Sequence, residues 1–312
     1  MFGFSSGGVV DPPTPPKPQM QLIPTPIAIN TISCVMNEGI LYITESVGRN
    51  LLVFNTLTGA FKQVLFPGNI TNYACCVYNN NIYIPLDGSS TMYIYDIATE
   101  TIRNVTLSGN FNRRIAKIHN GKLYMPRNSG GSQMEIFDFA TEVTRTVSLS
   151  GAYPRNTAQI YGDNLYIPVN SGARMEIFNF TTESTRYINM NNISRATSVI
   201  VNGKMYIPQN GTGTSFEIFD FQTEIIKQLQ LKRVAARNTC QAHNHLIYIP
   251  LGGNMDVMEV FDTLTEEFRD VPAPSNMARY SSAQWNSILY IPPNALQNQF
   301  LEKIELQVNI NL

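Results

Sequence analysis

Charge is scarce in this chain. Of its 312 residues only 14% are Asp, Glu, Lys or Arg, against about a quarter in an average globular protein. The two signs nearly cancel, with 22 Lys and Arg against 23 Asp and Glu. Neither nucleic acid nor an anionic membrane is therefore an expected partner. Histidine is rarer still: His119, His243 and His245 are the only three. His243 and His245 flank Asn244 in a turn, with no third metal ligand in view. No Ser-His-Asp or Cys-His arrangement is visible, and glycine-rich nucleotide-binding motifs are absent. Four cysteines are too few for a disulfide framework in a chain this long. No apolar run approaches the roughly 18 residues of a membrane span. The N-terminal MFGFSSGGVVDPPTPPKPQ has neither the basic start nor the long apolar core of a secretory signal. These absences set the expectations of no enzyme, no cofactor and no metal. They also fit a chain that is cytoplasmic when synthesised.

What is present is a repeat. A tyrosine recurs at Tyr42, Tyr83, Tyr124, Tyr166, Tyr206, Tyr248 and Tyr290, with spacings of 41, 41, 42, 40, 42 and 42 residues. The clearest copy, 202–230, reads NGKMYIPQNGTGTSFEIFDFQTEIIKQLQ. It alternates short strand patterns with Gly/Asn loops and an Asp-x-x-Thr turn. A strand-rich repeat of this length predicts an all-β, seven-bladed β-propeller of four-stranded antiparallel blades. It occupies residues 19–312, after an extended Gly/Pro-rich arm at 1–18.

The last repeat ends too soon. Glu305 stands near its turn position and the sequence stops at Leu312, leaving no room for an outer strand. Residues around Met20–Ile23 resemble such a strand and precede the first repeat. They are expected to complete the last blade and close the ring, which removes free sheet edges.

Several repeated positions have packing explanations. Eight residues before each tyrosine lie Cys34, Cys75, Ala116, Ala158, Ser198, Cys240 and Ser282. All are small, as strands converging on an axis require, so these cysteines read as core or channel lining. Asp96, Asp138 and Asp220 open turns by accepting backbone N–H bonds. Lys62, Arg103, Arg145, Arg186, Lys227 and Arg269 begin the outermost strands, where charge discourages edge-to-edge pairing.

The pattern Arg-x-x-(small)-x-x-x-Asn-Gly-Lys-hydrophobic-Tyr, followed by Glu-hydrophobic-Phe-Asp-x-x-Thr, runs from Arg195 to Thr223. It resembles the kelch repeat, and some version covers about residues 30–307. The resemblance implies four-stranded blades and, most often, a binding role. It also implies that arginines at this place can line a pocket for acidic peptides. Here they are Arg113, Arg155, Arg195, Arg237 and Arg279, eleven residues before their tyrosines. One expectation is a cationic mouth that binds carboxylate or phosphate through them.

The sequence also supplies the opposing reading. Glu135, Glu176, Glu217, Glu259 and Glu302 occur in the same five repeats. The two repeats with Thr31 and Asn72 in place of arginine have Leu52 and Tyr93 in place of glutamate. Such co-occurrence favours an Arg–Glu pair inside each blade.

For function, the arm, with Phe2 and Phe4 as apolar anchors, and the low charge point to an interaction or structural module. It would belong to a larger assembly, such as a viral or phage particle, with a protein partner and an acidic peptide or glycan as ligand. The alternative class is a carbohydrate-binding or carbohydrate-active propeller, of sugar oxidase, sialic-acid isomerase or lectin type.

Overall fold

The structure, a computed structural model, describes residues 19–28, 30–46, 48–71, 73–128, 131–170, 172–252, 255–273, 279–293 and 299–306. Phe2, Phe4 and Asn72 lie outside them. The described chain forms seven four-stranded antiparallel sheets. Blades 1 to 6 follow one another along the sequence. Their inner strands are Thr31–Asn37, Cys76–Tyr78, Lys117–His119, Gln159–Tyr161, Val199–Val201 and Gln241–His243. Blade 7 takes Ala283–Trp285, Ile288–Ile291 and Phe300–Glu305, then adds Met20–Pro24 as its outer strand. That strand runs antiparallel to its neighbour, with Met20 opposite Ile304 and Gln21 opposite Lys303. The ring closes as the truncated last repeat requires.

The recurring tyrosine has a packing role. Each is nearly buried and leans on the next blade at the residue just before that blade's turn. Ring centroids are 6.5 Å apart for Tyr42–Tyr95, 6.1 Å for Tyr83–Phe137 and for Tyr124–Phe178, and 5.8 Å for Tyr166–Phe219 and for Tyr206–Phe261. Tyr290 of blade 7 meets Phe54 of blade 1 at 6.0 Å, so the same wedge spans the closure. Tyr248 shares a core cluster with Ile304, the blade 7 residue at that position. Six aromatic pairs of this kind add roughly 0.5–1.5 kcal/mol each to the area they bury.

The turns form as their sequence dictates. The Asp138 carboxylate accepts N–H bonds from Ala140 and Thr141 at 3.0 and 3.1 Å, and Asp96, Asp220, Asp262, Asn55 and Asn179 do likewise. The next turn residue but three is Gly59 in blade 1, at φ +73°. In blades 2 to 6 it is glutamate at φ between 53° and 58°: Glu100, Glu142, Glu183, Glu224 and Glu266.

These glutamates correct the reading of the outer basic residues. Lys62 pairs with Glu100, Arg103 with Glu142, Arg145 with Glu183, Arg186 with Glu224 and Lys227 with Glu266. Each bridge joins one blade to the next around the rim. The basic side chains link neighbours in the ring, beyond any part they play in guarding an edge.

Candidate binding mouth and channel

The five arginines do not face the mouth. Arg113, Arg155, Arg195, Arg237 and Arg279 and their five glutamate partners are all 0% exposed. Arg195 shows the pattern. Its Nε and Nη2 donate to the Glu217 carboxylate at 2.8 and 3.1 Å. Nη1 donates to the carbonyls of Val169, Gly172 and Ile193 at 2.9, 2.8 and 3.2 Å, and Nη2 also donates to the Asn191 carbonyl. Those carbonyls belong to blade 4 and its link to blade 5. The backbone N–H of Arg195 in turn donates to Asn170 Oδ1 at 2.6 Å.

The same set recurs at Arg113–Glu135, Arg155–Glu176, Arg237–Glu259 and Arg279–Glu302. Every donor of the guanidinium is thus directed into the joint between two blades. The expectation of a ligand pocket lined by these arginines is corrected on this ground: a side chain without surface cannot receive a ligand. Where the pair is missing, Leu52 and Tyr93 stand in the glutamate's place. Tyr93 stacks edge-on against fully buried Phe66 at 5.3 Å, and Leu52 is fully buried.

The residue after each arginine does reach the mouth. A cleft of about 210 Å³ is lined by Tyr73, Arg114, Asn156, Ala196, Asn210, Asn238 and Tyr280. Six of these seven occupy one repeat position, ten residues before the tyrosine. The guanidinium of exposed Arg114 lies 4.2 Å from the centroid of the Tyr73 ring. Among the described residues it has no hydrogen-bonded or ion-paired partner. Asp87 is within electrostatic reach of it, but that carboxylate accepts the Arg113 N–H at 2.8 Å and sits where Asn128, Asn170 and Asn210 cap the later arginines. Asn156 and Asn238 reach toward the Arg195 and Arg279 carbonyls at 3.5 and 3.4 Å.

Below the mouth lies the axial channel, about 420 Å³ in volume. Its wall includes all seven of the small residues identified from the repeat. Hydroxyls and thiols link neighbouring blades around it. Thr157 meets Ser198 at 2.6 Å, Ser33 meets Cys75 at 3.0 Å, and Thr197 meets Cys240 at 3.3 Å; Thr239 meets Ser282 likewise. Burial pushes the Cys34 and Cys240 thiols up to about 12 and Cys75 up to about 11. At neutral pH these thiols are protonated and are poor nucleophiles. Among the described residues Lys117 is the one amine in the wall, and burial lowers its pKa.

Arg114 and Lys117 were not singled out from the sequence. The available signal was variation. Positions eleven and eight before the tyrosine repeat a residue type, whereas positions ten and seven change from blade to blade. Among the described residues no three His, Cys, Asp or Glu side chains cluster to hold a metal ion, and no helix is long and apolar enough to cross a membrane.

No family model matches the chain, and no curated protein matches it, so the kelch resemblance rests on the repeat pattern alone. Solved structures match its fold. A streptogramin B lyase superposes with a TM-score of 0.81 at 10% identity, covering 93% of this chain and 98% of that one. A catalytically inactive virginiamycin B lyase from Staphylococcus aureus, with quinupristin, gives 0.80 at 9% identity over 93% and 100%. A chain of the mitotic checkpoint complex gives 0.75 at 11% identity over 98% of each. These neighbours correct the expectation that the chain is not an enzyme. Lyases are built on this ring, so the absence of a familiar catalytic motif does not exclude catalysis. At such identity the likeness concerns the fold.

Proposed function

We propose that this chain is an interaction module of a larger assembly, and that its mouth receives an acidic segment of a protein partner. One observation carries the reading. Six blades supply the same repeat position to one cleft, and there, unlike at the framework positions around it, the residues diverge: Tyr73, Arg114, Asn156, Ala196, Asn238, Tyr280. A position that served only the blade would keep one residue type, as the buried Arg–Glu pairs and the tyrosines do. Divergence at the mouth gives a symmetric ring an asymmetric recognition surface. Its composition selects the ligand. Arg114 keeps its donors available for a carboxylate, with Tyr73 holding the guanidinium plane. Tyr280 is 43% exposed and offers an aromatic face, and the asparagines offer amide donors and acceptors.

The checkpoint-complex neighbour is a case of the fold inside an assembly. The low charge of the chain also favours burial of its surface against partners. The further steps, a viral or phage particle as the assembly and anchoring through Phe2 and Phe4, belong to this proposal.

The test is a peptide library that varies in charge, read by fluorescence polarisation against the intact chain. Asp/Glu-containing peptides should bind preferentially, and Arg114→Ala should weaken them by roughly tenfold or more, the value of a charge-assisted hydrogen bond. Equal binding of acidic, neutral and basic peptides would overturn the reading.

A further inference from the structure

The channel beneath the mouth carries a second inference that does not rest on the acidic-segment reading. Among the described residues its lining holds one primary amine, Lys117, and no carboxylate. The amine is placed by the repeat. Seven residues before the tyrosine, the inner strands of blades 3 to 6 put Lys117, Gln159, Val199 and Gln241 into the channel wall, whereas Val35, Cys76 and Ala283 at that position pack into the core. Lys117 Nζ donates to Gln159 Oε1 of the adjacent blade at 3.3 Å. It also lies within electrostatic reach of Cys240, three blades around the ring, and both residues line the channel. A long neutral amide contact is a weak partner for an ammonium withdrawn from water. Such a charge is normally matched by an anion.

The remaining wall is neutral and rich in hydrogen-bonding groups. In the Thr157–Ser198 pair two hydroxyls share one bond, and Gln159 Nε2 lies 3.4 Å from Ser198 Oγ. Gln241 Nε2 stands in the same relation to Ser282, at 3.3 Å, beside the Thr239–Ser282 pair. Each pair has two hydroxyl protons and uses one between its members. The other remains to donate, at two joints of the ring, between blades 4 and 5 and between blades 6 and 7. The volume of about 420 Å³ is in the range of small-molecule sites, roughly 300–1,000 Å³.

We propose that the channel binds a small, hydroxylated monocarboxylate. Its carboxylate pairs with Lys117, and its hydroxyls meet the Gln159, Gln241 and Ser/Thr groups of the wall. Besides Arg114, which the channel shares with the mouth, Lys117 is the one cation among the described lining residues, and one ammonium suits a monoanion better than a phosphate dianion. A polar wall suits a hydroxylated body better than a hydrocarbon chain. The ligand enters through the mouth, since Tyr73, Arg114 and Asn156 line both spaces.

The experiment is isothermal titration calorimetry of the full chain with gluconate, glucose, hexanoate and inorganic phosphate as probes. Gluconate should bind one to one. Glucose lacks the charge and hexanoate lacks the hydroxyls, so each should bind at least about tenfold more weakly, the scale of one lost charged or paired polar contact. Phosphate binding more tightly than gluconate would overturn the assignment in favour of a simple oxyanion site. Lys117→Met should reduce gluconate affinity by at least about tenfold, whereas Arg186→Gln on the rim should leave it unchanged. Val199 and Ala283 occupy the same repeat position, so a blade accommodates an apolar residue there. If Lys117→Met nevertheless misfolds, the probe series on the unaltered chain decides alone. Absence of gluconate binding, or equal binding by Lys117→Met, would overturn the proposal. Neither result bears on the mouth, which is read by the acidic peptides and Arg114→Ala.

Discussion

Arg195 and Arg114 have the same side chain and opposite circumstances. Arg195 has given all its surface to Glu217 and four carbonyls of the preceding blade and its link. Removing one partner of such a buried pair leaves an uncompensated charge, which costs about 3–5 kcal/mol. Glu217→Ala should therefore lower the urea midpoint sharply, with the loss read as about 3–5 kcal/mol from the denaturation curve. Arg114→Ala should change that curve by less than about 0.5 kcal/mol, as an exposed substitution does. The pairing was legible in the sequence because Arg and Glu enter and leave the repeats together. The exposed Arg114 was not, since a side chain one residue away from a buried one points elsewhere and no repeat marks it.

Lys117 adds a pH test at the same scale. Its neighbours in the channel are the Cys34, Cys75 and Cys240 thiols, all pushed up by burial, and the Arg114 guanidinium. Burial lowers the folded pKa of Lys117. Between that value and the usual lysine value the unfolded chain binds more protons, so the fold gains stability from this group as pH rises through that window. Carboxylate binding has the opposite sign. It needs the ammonium, so it should be strong below the lowered pKa and fade as pH rises through it. A calorimetric pH series with gluconate checks this, and affinity that holds up to the ordinary lysine value, about 10.4, would contradict it.

At the scale of the element, the outer turn joins two opposed effects. Glu142 sits at φ +56°, a conformation that costs an L-residue on the order of 1 kcal/mol. Its exposed bridge to Arg103 returns about 0–1 kcal/mol. Glu142→Gly relieves the strain and loses the bridge, so stability should stay within roughly 1 kcal/mol of the parent, as Gly59 at the same place in blade 1 indicates. Glu142→Val keeps the strained backbone, made worse by its β-branch, and loses the bridge, so it should be clearly less stable by thermal melting. A large loss in the glycine variant would show that the rim bridge matters more than its exposure implies. The acid limb follows from Glu183 and Glu224, whose pKa values are lowered by their bonds to Arg145 and Arg186. Their contribution is present above the usual glutamate pKa and is lost as pH falls through the folded values. The bridges were hard to see in advance because partners such as Arg145 and Glu183 are 38 residues apart, nearly a whole repeat. Only adjacency in the closed ring brings them together.

For the molecule as a whole, closure was the most legible feature. A seventh repeat without an outer strand and a strand without a repeat define each other, and Met20–Pro24 pairs with Phe300–Glu305 accordingly. Removing residues 1–24 should leave the edge of Phe300–Glu305 bare, and the chain should aggregate or melt early in light scattering with heating. An unchanged melt would mean that blade 7 is complete without that strand. Recognition was the least legible, because it resides in the positions where the blades stop resembling one another.

The most direct measurement is amide hydrogen exchange of the full chain with and without a saturating acidic peptide. The account predicts slowed exchange confined to the mouth segments 73–75, 113–117, 155–158, 196–198, 238–241 and 280–282, and its loss in Arg114→Ala. Protection along the outer strands and rim turns instead, or the same mouth protection in Arg114→Ala, would contradict it.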